Sequence, residues 1–330
     1  VSGTNFPHGV YSMGALLTPV GVPMGGDHYF VRPYSGSNAM DGRTPQTAVK
    51  TLAYALSLAT ADQNDVIHLI AESNSDAQTT DYQSATLAWN KNMVHLVGEC
   101  APSPMSQRAR VALISTYVTA SNLFTLSASG CLVQNVQFFA GVNSNQPTGA
   151  VQVSGSRNVF RNCHIAGIGH DTMDVANGYS LYLNGGEENL FQACRIGLNT
   201  IDAGSAANAE ISIAGGAKNV FFEGCYIYRR IEHATNHPLV RLAAATSIAE
   251  FLIFNQCSFV SASTNYAHTQ SGAFKLTADL TQGIILVKDC LLYNGPAGAA
   301  GKWDVDDRDR IKIVGHPTPA ADTCSITRAV

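Results

Sequence analysis

The sequence predicts an all-β fold, a single-stranded parallel β-helix, and three observations carry that expectation. First, the segments Val151–Ile165, Leu181–Ile196 and Ile211–Ile227 repeat nearly one pattern, and Cys163, Cys194, Cys225, Cys257 and Cys290 continue it at intervals of 31 to 33 residues. A period in that range marks a solenoid. Second, Phe160, Phe191, Phe222, Phe254 and then Val287 stand three residues before each cysteine, while Ile165, Ile196, Ile227, Phe259 and Leu292 stand two after it. A cysteine and the residue two later share one face of a strand, whereas an aromatic at an odd offset requires a corner between them. Third, the residue before each cysteine is Asn162, Ala193, Gly224, Gln256 or Asp289, mostly types that tolerate a left-handed backbone. Short strands joined by corners, without a helical period, make a β-helix. Val133, Val136 and Phe138 fit the same frame one coil earlier, with valine in place of cysteine.

The remaining elements follow in chain order. Residues 1–26 contain no Asp, Glu, Lys or Arg but hold Phe6, Pro7, Leu16 and Leu17, which predicts an extended arm laid on a partner or on the protein's own body. Residues 27–65 supply an opening strand, His28–Val31, a turn-rich loop from Gly36 to Gly42, and a capping helix. That helix is expected from Thr44–Pro45 to about Ala61, with Ala48, Leu52, Ala55, Leu56 and Ala59 on one stripe. A helix there would close the open end of the solenoid. Residues 66–293 form the β-helix proper, its first rungs being Val66–Ile70 and Met93–Val97. Residues 294–330 read as a C-terminal cap and tail, with a Gly- and Ala-rich connector, a charged run at 304–310 and a last strand at Ile311–Val314.

Composition narrows the function. Charged residues make up 13% of the 330, the net charge is -4 and the pI about 6.2, so the basic patch that nucleic acid requires is missing. No apolar run is long enough to span a bilayer. Eight cysteines invite disulfides, but thiols stacked at one position of successive coils lie roughly 4.8 Å apart with parallel side chains, a poor geometry for bridging. A straight file of thiols is equally unsuited to tetrahedral zinc. Buried, reduced cysteine acting as a small hydrophobe is the expectation, with Cys194→Ser costing more than Cys194→Ala. Cys100, Cys131 and Cys324 fall outside the file.

Residues Tyr29–Val31, Gly36–Asn38, Asp41–Gly42, Thr44–Pro45, Ala48, Lys50–Leu52 and Asp65–Leu69 resemble the opening segment of right-handed parallel β-helix proteins of the pectate-lyase-like superfamily, in particular the structural proteins of tailed bacteriophages. Asn5–Val10 resembles the start of phage virion proteins of that kind. The resemblance spans Asn5 to Tyr293 and implies a right-handed coil. It transfers no catalytic residue, because the calcium-binding aspartates and catalytic Arg or Lys of pectate lyases have no matching motif here, and the fold serves inert and catalytic proteins alike.

Two functions therefore stand side by side. One is a non-enzymatic virion protein, assembled in the host cytoplasm, that decorates or cements a capsid. The resemblance implies a homotrimer whose partners are other virion proteins, the major capsid protein first, with no cofactor, nucleic acid or membrane. Partner contacts would come from Phe6, Pro7, Leu16 and Leu17 in the arm and from Tyr226, Tyr228 and Arg229, read as an outward patch beside inward Ile227. His164 is likewise read as outward. The other function is a tailspike-like depolymerase acting on a surface glycan. Asp171 and Asp202 stand eight residues past their cysteines and Glu232 seven past, so the three would line one flank. Carboxylate pairs at about 5 to 9.5 Å are what glycoside hydrolysis uses. A calcium site at Asn38 and Asp41 lacks regular acidic spacing, and turn chemistry explains that loop as well.

Overall fold

The computed structural model describes residues 11–12, 15–16, 25–116, 122–146, 148–203, 208–231, 238–262, 273–277, 279–294 and 310–315. Phe6, Pro7, Leu17, Glu232 and Cys324 lie outside them. Leu16 is described in its backbone alone, in a two-residue strand paired antiparallel with Tyr11–Ser12.

Among the described residues the chain winds into a parallel β-solenoid with three sheets. The first sheet has ten strands, from His28–Val31 through Val66–Ile70, Val159–Arg161 and Leu190–Gln192 to Ile284–Lys288 and Ile311–Val314. The second has eight, including Arg110–Leu113, His164–Ala166, Arg195–Ile196 and Tyr226–Arg230. The third has seven, including Gly149–Val153, Tyr179–Asn184, Ile211–Ala214 and Val240–Leu242. From Leu132 onward the chain passes from first sheet to second through a tight corner and then to the third through a longer loop, whereas the two coils before it reach the second sheet through connections of nine and ten residues.

The repeat frame stands as the spacing predicts. Phe160, Phe191, Phe222 and Phe254 are register partners in successive coils, and their rings stack at 4.9, 4.8 and 4.6 Å with interplanar angles of 10 to 13°. Cys163, Cys194, Cys225, Cys257 and Cys290 are buried free thiols, as is Cys131. At the corner before each cysteine the backbone is left-handed: Asn162 has φ 48°, Ala193 52°, Gly224 60°, Gln256 52° and Asp289 50°. That geometry points each corner N–H at the next coil, so Asn162 donates to Gln192 O at 2.9 Å and Ala193 to Glu223 O at 2.8 Å.

The thiols are not bare hydrophobes. Each Sγ donates to the carbonyl of the ladder residue one coil back: Cys194 to Phe160 O at 3.4 Å, Cys225 to Phe191 O at 3.2 Å, Cys257 to Phe222 O at 3.4 Å. A second polar file escaped the sequence reading. Asn158 and Asn189, both fully buried, use Nδ2 on Ala128 O and Gly155 O and accept the N–H of Cys131 and Asn158 through Oδ1. In the next coil Val220 takes that position, and Asn219 moves to the preceding left-handed corner at φ 48°.

The N-terminal end is closed, but by a shorter helix than expected. Pro45–Thr47 forms a single 3-10 turn, and the α-helix covers only Leu52–Leu58. The break arises because Val49 pairs with Val31 as a β-bridge, while Asn38 Oδ1 takes the N–H groups of Lys50 and Thr51 at 2.9 and 3.2 Å. Thr51 then caps the helix. The expected apolar stripe is nonetheless buried, with Leu52, Ala55 and Leu56 packed among Tyr29, Ile67, Leu87 and Trp89. No helix among the described residues is long and apolar enough to cross a membrane.

Candidate functional site

The loops between second and third sheets carry the flank on which catalytic carboxylates were expected. Asp171 stands exposed at the start of a 3-10 turn, Asp171–Met173. Asp202 is half-buried and forms a β-bridge with Arg230. The polar groups that converge on this flank are different ones. Glu210 and Arg229 face each other with Nε 3.4 Å from Oε1, at 1% and 0% exposure. Ser180 Oγ donates to Glu210 Oε2 at 2.6 Å, Arg229 Nη1 donates to Pro238 O at 2.9 Å, and Nη2 donates to Asn208, which in turn donates to Asp174. Burial pushes the Glu210 carboxyl up and the Arg229 guanidinium down, and the attraction of each for the other opposes that shift. Gly197 makes room for the pair: at φ 109°, a Cβ there would strike Tyr228 O and lie 3.0 Å from the Glu210 carboxyl.

This arrangement corrects the reading of Tyr228 and Arg229 as outward partner contacts. Both are buried. Arg229 has the same strand parity as inward Ile227, so the alternation that placed Ile227 inside already placed Arg229 with it. Tyr228 does leave the outer side of its sheet, but it lies back along the surface, its ring 4.9 Å from Tyr226 and its hydroxyl 3.0 Å from His164 Nε2. Of the three, Tyr226 alone keeps partial exposure, and Arg195 sits 5.1 Å over its ring.

His164 is also buried rather than solvated. The segment before Arg110 climbs across two coils and covers it. Ser106 N–H donates to His164 Nδ1 at 3.2 Å, and Gln107 Nε2 donates to Asn162 O at 2.7 Å. A backbone donor on Nδ1 fixes the proton on Nε2, which lies 3.1 Å from Gly197 O. Burial pushes the ring down to about 4, so it is neutral at pH 7. No sequence spacing announces this cover, because the segment bridges coils that are remote in the chain.

The loop with Asn38 and Asp41 is ordinary turn chemistry: Asn38 Oδ1 caps Lys50 and Thr51, and Asp41 Oδ1 accepts Arg43 N–H at 3.0 Å. Among the described residues no group of three His, Cys, Asp or Glu is placed to hold a metal ion.

The outer face of the first sheet presents a different kind of surface. Register places Val159, Leu190, Phe221, Ile253 and Leu286 in one outward file, with Phe251 beside Ile284 at its edge. Phe221 is 42% exposed, Phe251 50% and Ile284 37%. The neighbouring file runs Arg161, Gln192, Glu223, Asn255 and Lys288. Large exposed hydrophobics gathered on one sheet face mark an interaction surface. The sequence held this signal in the doubled pairs Phe221–Phe222 and Ile284–Ile285, where an apolar residue precedes the inward one.

No protein-family model matches the chain, and no curated protein does. Solved structures do. A rhamnogalacturonan lyase superposes with TM-score 0.54 at 16% identity, over 82% of this chain and 69% of its own. A pectin methylesterase in complex with a hexasaccharide superposes with TM-score 0.53 at 16% identity, over 80% and 78%. At such identities the likeness establishes the parallel β-solenoid fold and nothing finer. The ORF18 chain of Geobacillus virus E2 aligns with TM-score 0.34 at 11% identity over 74% of this chain and 55% of its own, too weak a superposition to bear on function.

Proposed function

We propose that this β-solenoid is a non-catalytic structural protein of a tailed-phage virion, a decoration or cement protein that packs against neighbouring protein through the outer face of its first sheet. The observation that carries this reading is the exposed apolar file around Phe221, Phe251 and Ile284 on an otherwise weakly charged surface. Two features support it. The polar cluster of Glu210, Arg229, Ser180 and Asn208 is enclosed, so it offers no reacting group to a solvent-borne substrate. The resemblance at Asn5–Val10 and Tyr29–Leu69 points to phage structural proteins. The expected arm contacts at Phe6, Pro7, Leu16 and Leu17 belong to the same proposal.

The test is binding to particles stripped of this protein. Wild type should rebind, and Phe221→Asp should not, with its far-UV circular dichroism unchanged. Rebinding of Phe221→Asp at wild-type strength would overturn the carrying observation.

The depolymerase reading keeps one specific support. On the third sheet Gln152, Tyr182, Arg241 and Lys275 form an outward file of an amide, an aromatic and cations, groups that suit a glycan, with Ser212 between them buried beneath Arg241 Nη2 at 3.2 Å. The fold likeness to a rhamnogalacturonan lyase and a pectin methylesterase is compatible with it. Release of reducing ends from host surface polysaccharide, abolished by Asp202→Asn, would replace the structural reading with this one.

A further inference from the structure

We infer that the partner of the first-sheet face is a second copy of this chain, docked antiparallel about a twofold axis running along the strand Phe251–Asn255. The inference rests on reading that face as an assembly surface, adds what occupies it, and puts a dimer in place of the homotrimer that the family resemblance implies.

The argument comes from register and charge. Glu223 and Lys288 lie in one outward file, one coil to either side of Asn255, and both are exposed. A twofold axis along the Asn255 strand reverses the order of coils while keeping each file opposite itself. Glu223 then faces the second copy's Lys288, and its Lys288 faces the second copy's Glu223, in steps of about 4.8 Å per coil. In the adjacent file Phe221 meets Leu286 and Ile253 meets Ile253, while at the edge Phe251 meets Phe251 and Ile284 lies over the corner at Asn219. Phe221, Phe251, Ile253 and Leu286 of both copies are thus gathered about the axis with two ion pairs beside them, while Lys312 and Val314 of the last strand lie two coils out from it. A twofold axis along the solenoid instead puts every coil opposite itself with its strands reversed, so that Glu223 meets Glu223 or the apolar Phe221 of its own coil, Lys288 meets Lys288 or Leu286, and neither finds an opposite charge. The pattern therefore selects the antiparallel pair, and self-complementarity of one patch is what an isologous dimer requires. The local pairing of Lys288 with Asp289, 3.6 Å apart at 53% and 42% exposure, is a loose surface contact that leaves the ammonium free to turn.

Sedimentation velocity over a concentration series tests this with the full chain. Wild type should form a dimer, and Ile253→Asp, which sets two carboxylates on the axis, should sediment as a monomer with an unchanged melting temperature. Glu223→Lys and Lys288→Glu should each weaken the dimer roughly tenfold, and the double swap should restore it to within about threefold of wild type. A monomer at all concentrations, a trimer, or a double swap no better than the single changes would overturn the inference. If dimerisation fails while Phe221→Asp still abolishes particle binding, the second-copy inference falls and the assembly reading stands.

Discussion

At Cys194 the structure changes what a substitution should do. The thiol is fully buried, yet its donor already reaches Phe160 O at 3.4 Å and Gln192 O at 3.5 Å. A serine hydroxyl finds the same acceptors, so Cys194→Ser and Cys194→Ala should cost about the same, roughly 1 kcal/mol each by urea denaturation. The sequence alone favours alanine, because it shows the burial but not the carbonyls. Arg229 and Glu210 behave differently, since removing one leaves the other charged or unpaired inside the protein. Arg229→Met should cost about 3 to 5 kcal/mol, and adding Glu210→Leu should recover most of that loss. His164 sets a pH dependence. The ring takes its proton near 4 when folded and near 6.5 when unfolded, so between those values the unfolded chain binds more protons and stability falls as pH drops. His95, pushed down to about 4 by burial, acts in the same sense. Asp81, pushed up to about 6 by burial, opposes them, because its folded state holds a proton that the unfolded chain has already lost above 3.8. His164→Gln should therefore lose less melting temperature than wild type between pH 7 and pH 4.5.

At the scale of the element, the corner between first and second sheets decides whether coils stack. Asn162, Gly224 and Asp289 occupy the left-handed region at low cost, whereas Ala193 and Gln256 hold the same geometry with a side chain that disfavours it. The strain persists because the corner N–H must meet the next coil, as Ala193 meets Glu223 O. A left-handed alanine costs roughly 1 to 2 kcal/mol, and glycine returns part of the relief as chain entropy. Ala193→Gly should thus raise stability by about 0.5 to 1 kcal/mol, read as a higher urea midpoint at unchanged slope. The helix tells the opposite story. Its apolar stripe from Ala48 to Ala59 was legible, but the β-bridge of Val49 to Val31 delays its start to Leu52, a tertiary pairing that overrides a local pattern.

For the whole molecule, stability is built coil upon coil, each rung supported by its neighbours, with the N-terminal end closed by Leu52, Ala55 and Leu56. That closure is supplied after residue 27, so deleting residues 1–24 should move the melting temperature by less than about 2 °C, under 1 kcal/mol for a chain of this length. Under the proposed function the same deletion should release the protein from particles. Retention of the truncated chain on particles at wild-type strength would remove the arm from the proposal. The long sides of the solenoid differ in what they leave open. The outer surface of the second sheet is covered at His164 and Tyr228, while the first sheet leaves Phe221, Phe251 and Ile284 open.

The repeat of phenylalanine, corner residue and cysteine determined the solenoid by itself, because a coil must return to the same face after the same number of residues. Strand parity also carried Arg229 inward, although a patch of tyrosine and arginine invited the opposite reading. What tertiary structure alone decided was cover. Whether Ser106 lies over His164, whether Glu210 meets Arg229, and whether Phe221 stays open depend on which distant segments cross each face. Distances of that kind are set by the path of loops between coils, and no periodicity along the chain encodes them.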